Sequence, residues 1–331
     1  MDKHNPFKTS LAQNIFKTKY ALHQTETWHQ RALTIVDSVC VTAGGTLHPI
    51  LSESEREQLV EFISTMKFIP GGRYVYYAGR EAKFWNNCYL LRAEYDTREQ
   101  WAETAGNAMA CLTAGGGIGV DYSALRPAGR TLKRTGGLSS GPIPLMQAIN
   151  EIGRNVMQGG SRRSAIYGSL NWQHDDAPEF LRAKNWDSMP VGTTGKTLKD
   201  IKAEDFNFPC PLDMTNISLN YDDAWLNDAE KSQNGTFVMN VRQALSTGEP
   251  GLSFNFGAKQ NETLRNACCE VTSEDDSDVC NLGSVNVGNI ETLEEFKEVV
   301  ALASKFLVCG TVRAELPYEK VKKVREKNRR L

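Results

Sequence analysis

The chain has 331 residues, 40% hydrophobic and 24% charged, enough for one large domain or two smaller ones with a sizeable core. Its 38 basic and 40 acidic residues give a formal net charge of −2, which provides no overall pull toward nucleic acid or an anionic membrane. No run approaches the ~18 apolar residues that cross a bilayer, and residues 1–20 lack the apolar core of a signal peptide, so the sequence reads as cytoplasmic, with no membrane and no direct nucleic-acid partner.

In chain order, residues 11–41 and 53–67 have the spacing of amphipathic helices. The segment 68–79, FIPGGRYVYYAG, interrupts the pattern at Pro70, Gly71 and Gly72. Cys88 to Leu91 is a short apolar stretch suited to a buried strand, and 97–113 returns to helical spacing. AGGGIGVDYS (114–123) is a glycine-rich turn entering a strand, and after a helix at about 143–157 the segment 157–170 repeats that form. A strand over 211–219, a short helix over 238–246 and a turn into a strand over 247–254 follow. Cys280 to Val287 reads as extended, and 292–309 and 317–328 as helices. His174 and Asp175 open a further helix, with Asp175 as a capping or first-turn residue. Strand and helix thus alternate through most of the chain, which predicts an α/β fold with a largely parallel sheet.

The eight cysteines show no CxxC spacing and no clustering with the five histidines, so neither a disulfide framework nor a metal site is expected. Most read as small buried hydrophobes. The unusual neighbours belong to RNACCEVTSEDDSDVCNLGSVNVGNI (265–290). There Asn266, Cys268 and Glu270 alternate, so an extended chain would set them on one side. A carboxylate beside a thiol disfavours the thiolate, which suits a cysteine that reacts as a neutral thiol or thiyl radical, with Glu270 as an acid–base group. Spacing alone favours a loop of buried thiols with a solvated acid.

The segment resembles the Asn-Pro-Cys-Gly-Glu finger loop of ribonucleotide reductases and the Cys-Asn-Leu-Gly-Ser run that follows it in that family. IPGGR (69–73), NNCYLL (86–91), GGGIGVDYSALRP (115–127), SSGPIPLM (139–146), QGGSRRSA (158–165), NISL (216–219) and TGEPG (247–251) are similar to further family motifs, in the family's order, and cover most of the chain. Ala267 stands where the family usually has proline, Cys269 where glycine or another small residue is common, and Ser164 where glycine is common.

The resemblance implies an N-terminal helical region over 1–68. It implies that 69–331 is the first half of the family's ten-stranded α/β barrel, with effector loops and finger loop, the C-terminal half being absent. It implies reduction of ribonucleotides to 2′-deoxyribonucleotides. Cys268 would be the thiyl-radical cysteine, Glu270 the base on the 3′-hydroxyl, and Asn266 a hydrogen-bond partner of the ribose hydroxyls. Cys88 and Cys280 would be the pair that reduces the substrate and closes into a disulfide. Asn87, Gly116 and Gly117 would lie against the substrate. Arg126, Gly159, Gly160, Arg162 and Arg163 would serve a deoxynucleotide effector. The style of the NNCYLL, GGSRRSA and SDVCNLGS segments resembles the adenosylcobalamin-dependent enzymes, and no amino-terminal ATP-cone pattern is evident. The implied partners are a ribonucleoside di- or triphosphate, the deoxynucleotide effector, the C-terminal half of the same enzyme and a thioredoxin-like reductant. Two rival readings stand beside this one. Adjacent Cys268 and Cys269 resemble the paired cysteines of formate-lyase-type glycyl-radical enzymes, against which the flanking Asn266 and Glu270 argue. A nucleotide-binding fragment that never turns over would keep the effector loops alone.

Overall fold

The computed structural model describes residues 6–156 and 164–328. The chain forms two compact units: Met1–Cys88 with Ala114–Gly116 and Val279–Leu331, and Tyr89–Thr113 with Gly117–Asp278. The division falls at Cys88 and Val279 rather than near residue 68, because the N-terminal helices share an apolar core with a C-terminal helix.

The first unit opens with α1 (Ser10–Ile15), a π-helical turn at Phe16–Tyr20, α2 (Trp28–Cys40) and α3 (Glu53–Ser64). The single helix expected over 11–41 is therefore broken. Thr27 stops it by forming a reciprocal capping box with Gln30, which satisfies free N–H groups at the start of α2. Ser52 and Glu55 do the same for α3. The Pro/Gly segment becomes β1 (Phe68–Pro70) and α4 (Gly72–Tyr77).

The second unit contains β2 (Cys88–Arg92, entering from the first unit), α5 (Arg98–Thr113), β3 (Gly117–Asp121), α6 (Ile143–Asn155), β4 (Ile166–Asn171), α7 (Ala177–Arg182), α8 (Leu198–Glu204), β5 (Thr215–Tyr221), α9 (Asp223–Asn227), α10 (Gly235–Thr247) and β6 (Gly251–Phe254). A hairpin of β7 (Leu264–Arg265) and β8 (Thr272–Ser273) follows, then β9 (Asp278–Cys280) leads back into the first unit with β10 (Gly283–Val285), α11 (Leu293–Arg313) and α12 (Glu319–Asn328). β10 pairs antiparallel with β1, Phe68 opposite Val285. The first unit's core joins Ile35, Val36 and Val39 of α2, Leu59 and Ile63 of α3, and Val299 and Phe306 of α11, all fully buried. Burial of each such side chain contributes roughly 1.5–3 kcal/mol.

In the second unit β6, β5, β4, β3 and β2 lie side by side in that order, with β3 through β6 parallel. The register sorts side chains cleanly by face. Ile118, Val120, Ile166, Leu170, Ile217 and Leu219 share one face and are buried. Gly168 belongs to that face, and a Cβ there would lie 2.9 Å from Met146 Cε of α6, so the helices cover it. The opposite face carries Gly119 and Asp121 of β3, Tyr167 and Ser169 of β4, Ser218 and Asn220 of β5, and Ser253 of β6. A parallel sheet is ordinarily apolar on both faces. Small and polar residues on one face mark the side that receives something other than a helix.

Asp175 does not cap α7. Asp176 occupies the N-cap position and accepts the Ala128 N–H at 2.9 Å, while Asp175 pairs with Arg130 at 2.7 Å. Among the described residues no helix is long and apolar enough to cross a membrane.

Candidate active site

The β7–β8 hairpin lies on the polar face of the sheet. Glycine at two positions of β3 makes this possible. A Cβ on Gly119 would come 1.8 Å from the Arg265 carbonyl oxygen, and one on Gly117 would come 2.9 Å from the Ala267 Cβ. The Gly-rich turn thus admits the hairpin's backbone, a close approach that only glycine permits.

The extended run expected through Asn266, Cys268 and Glu270 does not form. The chain reverses instead. The Cys269 N–H donates to the Asn266 carbonyl at 3.0 Å, and Asn266 Oδ1 accepts the Val271 N–H at 3.1 Å. The buried Asn266 side chain takes the place of a strand partner, which lets the turn close. Cys268, Cys269 and Glu270 stand exposed at the tip. Cys269 has φ +70°, a left-handed conformation costly for any residue with a Cβ. Desolvation raises the Cys269 thiol's pKa, the Cys268 and Glu270 neighbours add to it, and Arg265 opposes it. The tip therefore keeps that thiol neutral.

Six cysteines are buried, and only Cys268 and Cys269 are exposed. Cys88 and Cys280 sit in the first unit on adjoining backbone. The Asn87 N–H donates to the Cys280 carbonyl at 3.3 Å, and the Asn86 side-chain amide reaches the same oxygen at 3.5 Å. The Asn87 Nδ2 is buried and finds no hydrogen-bond partner among the described residues. It occupies the space a Cβ on Gly71 would need, 2.6 Å away. Asn281, next to Cys280, is a polar hub: it accepts from the Tyr74 hydroxyl at 2.7 Å and donates to the Leu307 carbonyl at 3.2 Å and to the Thr311 hydroxyl. Sequence reasoning missed Tyr74 and Arg73. Arg73 is buried, and a Cβ on Gly115 would lie 2.3 Å from its Nη1, so the arginine of IPGGR packs under the glycine-rich turn. Gly116, the residue before Gly117, ends this short piece of the first unit.

Arg126 lines a cavity of about 650 Å³ in the second unit, together with Arg98, Lys133 and Arg134 and the acids Asp96 and Glu99. That volume falls in the range of small-molecule sites. The Arg126 guanidinium is held by the Asp96 carboxylate and, at 3.3 Å, by the Asp96 carbonyl. The far wall is a turn closed by Thr131 and Leu138, with Gly129, Gly136 and Gly137 at positive φ. Arg98, Lys133 and Arg134 carried no sequence signal beyond their charge. Gly159, Gly160, Arg162 and Arg163 lie outside the described residues. Among the described residues nearby, the Ser164 hydroxyl donates to the Val156 carbonyl at 3.4 Å, and Arg154 of α6 donates to the Asp213 carboxylate at 2.6 and 2.8 Å. Among the described residues no group of three or more His, Cys, Asp or Glu side chains forms a metal site.

Parallel strands with helical crossovers, and a cysteine-tipped hairpin on the polar face, define an α/β unit with a candidate site on one side of its sheet. Residues 86–210 and 227–331 match the family described as the ribonucleotide reductase barrel domain, and the chain belongs to that family. It is similar to the vitamin B12-dependent ribonucleoside-diphosphate reductase of Thermoplasma acidophilum, 26% identical over 292 residues, covering 82% of this chain and 36% of the relative. The enzyme of the same name from Mycobacterium tuberculosis is 26% identical over 337 residues, covering 91% of this chain and 45% of the relative. The ribonucleoside-diphosphate reductase subunit alpha of Chlamydia muridarum is 28% identical over 263 residues, covering 68% of this chain and 25% of the relative. The chain thus spans less than half the length of these relatives.

Proposed function

We propose that this chain carries the finger-loop part of a reductase that converts ribonucleoside diphosphates to 2′-deoxyribonucleotides by thiyl-radical chemistry. The observation that carries the reading is the Cys268 sulfur, exposed at the tip of a hairpin fixed on the polar face, between buried Asn266 and exposed Glu270. Cys268, as a thiyl radical, takes the 3′ hydrogen of the ribose and returns it once the 2′ carbon is reduced, Glu270 accepts the 3′-hydroxyl proton, and Asn266 orients the hydroxyls. Cys88 and Cys280 supply two electrons and two protons: the 2′-hydroxyl leaves as water and the two thiols close into a disulfide. A thioredoxin-like dithiol then reopens it. The buried amide of Asn87, beside Cys88, would hold substrate, with Gly116 and Gly117 giving close backbone approach. Adenosylcobalamin, suggested by the names of the relatives, would when bound generate the oxidising equivalent for the Cys268 thiol. An exposed tip fits such a source, because Cys268 is open to it. The cavity around Arg126 takes the phosphates of a deoxynucleotide effector, and the segment with Gly159, Gly160, Arg162 and Arg163 relays effector identity to the substrate base.

The chain spans less than half the length of the relatives, so the test uses it joined to the part of the reductase that they have beyond it. With adenosylcobalamin and a dithiol, the assembled enzyme is expected to form deoxynucleotide, and Cys268→Ser to abolish it. One turnover without external reductant should leave Cys88 linked to Cys280 on mass mapping. Turnover by the Cys268→Ser enzyme, or a Cys88–Cys269 link in place of Cys88–Cys280, would overturn the reading.

A further inference from the structure

We infer that Arg265 is the positioning residue for the finger-tip thiol: it ties the hairpin across the polar face from β3 to β6. The inference rests on the reading of 266–270 as the finger loop. On the β3 side the contact is backbone. The Arg265 carbonyl occupies the space a side chain on Gly119 would need. On the β6 side the contact is the guanidinium. Arg265 Nε donates to Ser253 Oγ at 2.6 Å, and Nη2 donates to the Phe254 carbonyl at 3.1 Å and to Asn255 Oδ1 at 3.0 Å. Between these anchors lie β4 and β5, with the buried Tyr167 beneath. Burial raises the Tyr167 hydroxyl to a pKa of about 12, with Ser218 beside it opposing the shift, so it stays neutral under the tip.

β7 is only two residues long, and its partner β8 likewise. So short a ladder does not fix a hairpin by itself. The turn begins at the next residue, Asn266. Whatever sets Arg265 therefore sets the origin of the turn that ends in Cys268 and Cys269. A guanidinium suits the task because its rigid fork meets several acceptors at once, whereas an ammonium is a point donor. Arg265 touches no substrate in this role. It acts through the placement of the sulfur, and radical hydrogen transfer is steep in distance.

The test compares Arg265→Met and Arg265→Lys in the whole chain and in the assembled reductase. Hydrogen exchange at the amides of Cys269 and Val271, both bonded within the turn, is expected to quicken about tenfold in Arg265→Met, with the melting temperature of the chain retained. In the assembled enzyme kcat should fall on the order of 100-fold with KM within about twofold. Arg265→Lys, which keeps the charge but not the fork, should fall between. Native exchange in Arg265→Met, or a raised KM with unchanged kcat, overturns the inference. If Arg265→Met fails to fold, the folded Arg265→Lys decides, and native kcat there overturns it. Cys268→Ser separates the two levels: if it still turns over, the finger reading itself falls; if it is dead while Arg265→Met keeps native kcat, only the role of Arg265 falls.

Discussion

Gly119 and Arg265 meet backbone to backbone: a single added methyl on the glycine would stand 1.8 Å from the arginine's carbonyl oxygen. The chain's most glycine-rich segment is thereby explained by the hairpin it admits, as well as by any ligand it approaches.

Gly119→Ala is accordingly expected to lift the hairpin off β3. Overpacking of this kind costs typically about 1–3 kcal/mol. Urea unfolding of the purified chain measures the loss, and alkylation of Cys268 should change rate in parallel. An alanine variant as stable as the native chain would show that the contact yields freely.

Cys269→Gly is expected to stabilise the chain by up to about 1 kcal/mol, because a left-handed residue with a Cβ carries roughly 1–2 kcal/mol of strain and the glycine's larger entropy in the unfolded chain cancels part of the gain. The midpoint of urea unfolding should rise, and the assembled enzyme should keep substantial activity. A lower midpoint would mean that the φ of +70° at Cys269 is held by contacts the sulfur itself makes.

Arg126→Ala should weaken deoxynucleotide binding by about 10- to 100-fold, the equivalent of one charge-assisted hydrogen-bond set worth roughly 1.5–3 kcal/mol. It also leaves Asp96 unpaired in the cavity, so the loss should shrink as salt rises. Calorimetric titration at two ionic strengths checks both effects, and unchanged affinity would remove this cavity from the effector site.

Asp213 gives a pH signature. Burial works to raise its pKa, but hydrogen bonds from Arg154, Lys202 and Asn150 outweigh burial and hold the carboxyl down at about 2. The folded pKa lies below the unfolded value of about 3.9, so the stabilisation is fully present above pH ~4 and drains away as pH falls toward 2. The difference corresponds to roughly 2–3 kcal/mol at neutral pH. Asp213→Asn should lose at least that much at pH 7 and show a flatter stability profile between pH 4 and 2. An unaltered acid limb would place the native chain's acid sensitivity in other carboxylates.

The candidate site could be named from the sequence because rare residue types mark it: Cys268 between Asn266 and Glu270, and the Cys88 and Cys280 contexts. The alternation of helix and strand was legible there as well. The conformation at the tip was not. Period-two alternation in 266–270 suggested a strand, but an asparagine side chain can stand in for a backbone partner and fold the same residues into a turn. The break before α2 did have a signal, Thr27 followed three residues later by Gln30, which the longer helical periodicity concealed. The Arg154–Asp213 pair and the Arg265 tie had none, since their partners are set by the register of the fold rather than by local sequence.

Gly310 has a consequence at some remove from itself. A Cβ at that position would lie 2.0 Å from the Tyr74 oxygen, so α11 reaches Tyr74 only because the side chain is missing. The same stretch of α11 supplies the Leu307 carbonyl and the Thr311 hydroxyl that grip Asn281, the residue bonded to Cys280 along the chain. A mutation at residue 310 is therefore a way to shift the Cys280 thiol without altering any polar group.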